Sequence, residues 1–90
     1  MKAAWYEKKG AAREVLRVGE RPDPQPAAGE VRVRIRMSAV NPSDTKSRGG
    51  LRVKEMPFPV VVPHQDGAGE IDAVGQGVDP ARIGERVWVY

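Results

Sequence analysis

The amino-acid sequence predicts a mainly β domain, a barrel or a sandwich of short strands, with one short helix. Three observations carry that expectation. Apolar and polar residues alternate with period 2 along most of the chain, while helical spacing is scarce. The alternating runs are short and separated by Gly and Pro, of which the 90 residues hold 10 and 8, and such punctuated strands build barrels and sandwiches. Only one stretch carries both the start and the stop signals of a helix.

Taken in order, Lys2 to Tyr6 is the first strand and, after a turn at Lys9-Gly10, Glu14 to Val18 is the second. Arg21-Pro22-Asp23-Pro24-Gln25-Pro26-Ala27-Ala28-Gly29 is an extended connector, because each proline fixes φ and removes a backbone donor. Glu30 to Ser38 is the clearest strand: Val31, Val33, Ile35 and Met37 fall on one face and Arg32, Arg34 and Arg36 on the other. The helix runs from Pro42 to about Arg48, with Asn41 as N-cap, Pro42 at the first helical position and Gly49-Gly50 as the stop. Met56-Pro57-Phe58-Pro59 leads into Val60-Val61-Val62, Gly67 to Val74 is another strand, Gly75-Gln76-Gly77 turns, and Glu85 to Tyr90 is the last strand. There is no internal repeat and no low-complexity tract.

A single domain of this length buries about 60–65% of the surface its unfolded chain exposes. The chain has no cysteine, so it has no disulfide framework, thiolate metal site or thiol nucleophile, a composition that suits the cytoplasm. Its N-terminus lacks the apolar core of a signal peptide. The longest apolar run, Phe58 to Pro63, is broken by proline and far short of the ~20 residues that span a membrane. The expectation is a soluble cytoplasmic domain with no membrane contact. Net charge is +3, divided as +7 over residues 1–54 and −4 over residues 55–90. A basic half and an Arg-x-Arg-x-Arg strand fit phosphate or nucleic acid. They fit better a solvated strand face paired with acids on a neighbour, such as Glu70 or Asp72. No aromatic is interleaved with the arginines to stack on bases, so no nucleic-acid partner is expected.

Two polar clusters stand at the ends of strand-like runs, where β scaffolds place their chemistry. The first is Ala39-Val40-Asn41-Pro42-Ser43-Asp44. Asn41 offers an amide donor and acceptor, and the helix start adds N–H groups and a positive dipole end. That combination suits a carboxamide, a ribose hydroxyl or a developing oxyanion. With equal weight, Asn41-Pro42-Ser43-Asp44 is an ordinary capping sequence. The second cluster is Pro63-His64-Gln65-Asp66-Gly67-Ala68-Gly69-Glu70. Its Gly67-x-Gly69 is no dinucleotide fingerprint, because Asp72 stands where a third Gly or Ala belongs and the following residues alternate as a strand. The glycines are expected to permit a bulge or a close backbone approach. One His and scattered carboxylates fall short of the about three protein ligands of a mononuclear zinc site, so no metal site is assigned.

Together the two clusters resemble the active-site half of the medium-chain dehydrogenase/reductase superfamily, in its zinc-independent, quinone oxidoreductase-like (zeta-crystallin-like) branch. Met1-Lys2-Ala3, Gly29-Glu30-Val31, Gly75-Gln76-Gly77-Val78 and Ile83-Gly84-Glu85-Arg86-Val87 are similar to the family's first strand, the strand leading to its active site, and its late turn and strand. In zinc-dependent members a cysteine ligand precedes Ser/Thr and Asp at this helix start. Here Asn41 takes its place, while Ser43 and Asp44 keep the pattern. Aligning Gly67-Ala68-Gly69 on the family's Gly-x-Gly strand puts Asp66 on the glutamate and Gln65 on the histidine of a Gly-His-Glu run, with His64 on its glycine.

The resemblance implies a GroES-like, partly open β-barrel over residues 1–90, the N-terminal portion of a catalytic domain whose nicotinamide-binding Rossmann domain and C-terminal return lie outside this chain. It implies an NADPH-dependent enzyme passing hydride to a quinone or conjugated enone, homodimeric when complete. The 90 residues alone are then expected to be inactive and not to bind NADPH, since they hold no βαβ unit. Asn41 is the expected nicotinamide contact, with Pro42, Ser43 and Asp44 shaping the cofactor side. Lys46 stands about where such reductases often carry a tyrosine, and its charge suits a developing carbonyl oxyanion. The alternatives are an enoyl reductase of the same superfamily, a non-enzymatic GroES-like module and a nucleic-acid-binding barrel. The exposed last strand favours pairing with another copy.

Overall fold

A computed structural model describes residues 1–51 and 54–90 of the chain. The fold is mainly β, as the alternation predicts, and comprises β1 (Lys2–Trp5), α1 (Ala12–Val15), β2 (Arg17–Glu20), β3 (Val31–Ala39), α2 (Pro42–Gly49), β4 (Asp66–Val74) and β5 (Arg86–Val89), with a 3-10 turn at Pro80–Arg82. Strand pairing joins β1 to β2 in one sheet and β3, β4 and β5 in another. The strands therefore close no continuous ring among the described residues. Two compact units result, one from residues 1–22 and 40–64, the other from 23–39 and 65–90.

In the first unit, α1 replaces the start of the strand expected over Glu14 to Val18, so the described residues hold two α-helices and a 3-10 turn rather than one helix. Ala-Arg-Glu-Val contains three strong helix formers, and the turn they make buries Val15. β2 begins only at Arg17, where it pairs antiparallel with β1, Trp5 opposite Arg17 and Lys2 opposite Glu20. Trp5 lies over Gly19, at which a Cβ would sit 3.3 Å from the ring, and the Arg21 guanidinium lies 5.2 Å from the ring centroid. This packing fixes where β2 starts, and local alternation contains no trace of it. Of Val60 to Val62, only Val61 pairs, exchanging two 2.9 Å backbone bonds with the buried Tyr6.

Capping chemistry makes α2. The Asp44 carboxylate accepts from the Asn41 N–H at 2.8 Å, closing a capping box with the Asn41 side chain, and Pro42 occupies the first turn. Gly50 ends the helix in the left-handed region, φ 75°, which favours a residue without Cβ. The loop at Lys9-Gly10 is pinned to that end: Gly10 N–H donates to Arg48 O at 2.8 Å, Arg48 Nε donates back to Gly10 O, and Lys9 Nζ donates to Ser47 O.

The second unit is an antiparallel sheet in the order β3-β4-β5 around the buried Ile71. Its register is interrupted twice. Arg32 opposes Ala73 and Val33 opposes Ile71, leaving Asp72 extra; Ile35 opposes Gly69 and Met37 opposes Ala68, leaving Arg36 extra. The second bulge corrects the expectation that Met37 shares a face with Val31, Val33 and Ile35. One extra residue reverses the alternation, so Met37 joins the row Met37–Ala68–Trp88 on the opposite side and is 73% exposed. The close approach expected of the glycines is present at Gly69, where a Cβ would overlap the Arg34 carbonyl oxygen. Arg32 meets Asp72 at 2.8 Å and Arg36 meets Glu70 at 3.5 Å, the cross-strand pairing anticipated for the arginine stripe.

Candidate functional site

The first polar cluster forms the N-terminal end of α2. Asn41 and Asp44 are half-buried in the capping box, while Pro42, Ser43 and Lys46 are exposed. Helical spacing separates two faces. Asp44 and Arg48, four apart, lie on the half-buried side that holds the Lys9-Gly10 loop. Pro42, Ser43 and Lys46, related by three and four residues, share the solvent face. Thr45 Oγ1 donates to Pro42 O at 2.8 Å, keeping that hydroxyl off the exposed helix start.

Of the expected site residues, Ser43 and Lys46 thus come together with Pro42 on one face, and Asn41 sits at the end of the axis. Asp44 is turned away and acts through the cap. Among the described residues no three His, Cys, Asp or Glu side chains cluster as metal ligands. His64 has φ 79° and is the one non-glycine residue described with positive φ. This is the position aligned to the glycine of the family's Gly-His-Glu run, and a left-handed backbone is what such a glycine supplies.

Sequence reasoning did not find the cleft in the second unit. It has a volume of about 450 Å³ and is walled by Met37, Ala39, Asp66, Ala68, Trp88 and Tyr90. The Trp88 and Tyr90 rings stack with centroids 5.1 Å apart and an interplanar angle of 28°. The aromatic alternation Trp88-Val89-Tyr90 was a signal for it, but Met37 reaches this side only through the bulge at Arg36. At the far end of β4, Arg82 donates two bonds of 3.0 and 3.1 Å to Glu85. Those bonds hold the Glu85 carboxyl below the usual carboxylate range.

A model of the alcohol dehydrogenase GroES-like domain matches residues 27–90. The chain is 44% identical over 77 residues to the starvation-sensing protein RspB of Escherichia coli, covering 82% of this chain and 21% of that protein. Solved structures share its fold. The Escherichia coli quinone oxidoreductase complexed with NADPH superposes with TM-score 0.83 and 30% identity, covering 98% of this chain and 26% of that one. The cobalt- and zinc-bound thermostable alcohol dehydrogenase of Pyrobaculum aerophilum superposes with TM-score 0.84 and 36% identity, covering 100% and 26%. The chain thus spans about a fifth to a quarter of the length of these relatives.

Proposed function

Since this chain belongs to the alcohol dehydrogenase GroES-like domain family, within the medium-chain dehydrogenase/reductase superfamily, we propose that it is the N-terminal catalytic-domain portion of an NADPH-dependent reductase of quinones or conjugated enones. The observation that carries this reading is the α2 start, where Asn41 caps the helix and Ser43 and Lys46 share the exposed face. The likeness to an NADPH-bound quinone oxidoreductase supports it. No helix among the described residues is long and apolar enough to cross a membrane, and we place the complete enzyme in the cytoplasm as a homodimer.

The donor set at α2 fits the polar end of a nicotinamide nucleotide: an amide, an exposed hydroxyl and helix N–H groups recognise carboxamide and ribose hydroxyls. Bound NADPH would supply the hydride. Asn41 then orients the carboxamide from a position fixed by its own backbone bond to Asp44. Ser43 offers its hydroxyl on the same exposed turn. Lys46, on that face, stabilises negative charge growing on the substrate carbonyl oxygen. Asn41 and Gln65 stand where zinc-dependent relatives carry Cys and His, so polarisation of the carbonyl falls to Lys46 in this proposal.

The test is turnover by the full-length protein that contains this chain. NADPH oxidation with a small quinone or enone, unaffected by chelator, is the expected result. Oxidation of alcohols with NAD and loss of activity on zinc removal would overturn the proposal.

A further inference from the structure

α2 is a helix without an apolar face. Residues 42–49, Pro-Ser-Asp-Thr-Lys-Ser-Arg-Gly, hold no aliphatic or aromatic side chain beyond the Pro42 ring. The apolar stripe that ordinarily sets how a helix lies on its domain is therefore missing, which leaves polar bonds to set it. At the N-terminal end the capping box is internal to the helix start, so it fixes the first turn but not the direction of the axis. Bonds to a distant part of the chain hold the other end.

There the Lys9-Gly10 loop, 38 residues away in sequence, grips the last turn. Gly10 N–H donates to Arg48 O at 2.8 Å, and Arg48 Nε donates to Gly10 O at 3.3 Å. Two reciprocal bonds between one pair of residues fix an angle as well as a distance. Lys9 Nζ adds a bond to Ser47 O, one of the carbonyls that a helix end leaves without a partner of its own. The loop is itself anchored. A Cβ on Gly10 would come within 2.8 Å of Cγ1 of the buried Val15. Just before the loop, the buried Tyr6 exchanges its two backbone bonds with Val61.

We propose that Arg48 is a positioning residue of the candidate site: clamped to Gly10, it sets the tilt of α2 and through it the placement of Asn41 and Lys46. The inference rests on the reductase reading. Arg48 follows Asn41 by seven residues, ~10 Å along the helix axis. A tilt of about 6° at the clamp therefore displaces Asn41 by ~1 Å, and a displacement of that size can cost about 100-fold in rate. Arg48 touches neither nicotinamide nor substrate in this reading, and its whole effect passes through the helix.

The test uses the full-length protein that contains this chain. In its cofactor-free form, Arg48→Ala should speed amide hydrogen exchange at Gly10 by about tenfold or more, the mark of a clamp that opens locally. Single-turnover hydride transfer from NADPH to a small quinone should slow by about tenfold or more. In a background carrying Asn41→Ala and Lys46→Ala, the same change should cost less than about twofold, because positioning acts only through the groups it places. Ile71→Val, which trims the core of the second unit, should lower the urea midpoint and leave hydride transfer within about twofold, so lost stability alone does not mimic the effect. Where Arg48→Ala does not fold, Lys9→Met carries the test: removing the Ser47 bond alone should slow transfer by about threefold or more. Gly10 exchanging at the parent rate overturns the inference, as does unchanged hydride transfer in the folded variants with Asn41→Ala still slow; the reductase reading stands in both cases. An undiminished loss in the background without Asn41 and Lys46 makes Arg48 structural only and overturns it too. An unmodified protein that reduces no quinone or enone with NADPH overturns the reductase reading, and the inference with it.

Discussion

Replacing Gly69 by alanine tests the contact that shapes the second unit. Gly69 is buried on the central strand β4. An added Cβ would overlap the Arg34 carbonyl oxygen and come within 2.8 Å of its carbon and 3.0 Å of Ile35 Cα. All three atoms are backbone of the neighbouring strand, so no side-chain rotation relieves the clash and the strands must move apart. Overpacking typically costs about 1–3 kcal/mol, and a backbone obstacle belongs at the upper end. Alanine's smaller entropy loss on folding returns about 0.5–1 kcal/mol. The expected net loss is about 2 kcal/mol, which for a domain of this size lowers the melting temperature by roughly 8–16 °C. Urea unfolding should show a midpoint about 1–2 M lower. Gly49→Ala is the matched control: nothing lies within 4 Å of its Cβ position in α2, and it should stabilise by about 0.5–1 kcal/mol. A Gly69→Ala protein within about 0.5 kcal/mol of the parent would refute the close-approach argument.

Asn41→Ala should cost about 0.5–2 kcal/mol through loss of the cap. In the full-length enzyme it should also slow single-turnover hydride transfer by about 100-fold if the amide aligns the nicotinamide; an unchanged rate with a lowered midpoint would leave Asn41 only a cap. The Glu85 carboxyl titrates below its ordinary value when folded, its bonds to Arg82 being the largest cause. Its contribution is therefore complete above the unfolded glutamate pKa and disappears as pH falls through the lowered one. A carboxyl carbon NMR titration should show the depressed midpoint, and Arg82→Ala should return it to the ordinary range. Elemental analysis of the purified full-length protein should find no stoichiometric zinc, because Asn41 and Gln65 stand at the aligned ligand positions; one zinc per chain would refute that alignment.

Much of this fold was legible without coordinates, and each legible part rests on chemistry local to a few residues. Asn41, Pro42, Asp44 and Gly50 define α2 because helix ends are made by neighbours in sequence. β3 and β4 stand out by alternation, and the connector by its prolines. Arg32 and Arg36 find Asp72 and Glu70 because a stripe of one charge on a strand face calls for the opposite charge beside it. The same local logic identified the helix start as the candidate site, although it did not separate a cap from a ligand contact.

What the sequence determined by itself is therefore the types of β1, β3, α2, β4 and β5 and the cap of α2, and it nominated Asn41, Ser43 and Lys46, at one helix start, as the residues of the proposed site. Only the tertiary structure decided where β2 begins, since Trp5 packing over Gly19 sets that register across the sheet. It alone put Met37 in the same cross-strand row as Trp88, with Ala68 between them. Period-2 alternation counts residues along one strand, whereas a bulge is a mismatch between two, and the space Gly69 leaves for Arg34 sits where the mismatch at Arg36 forms.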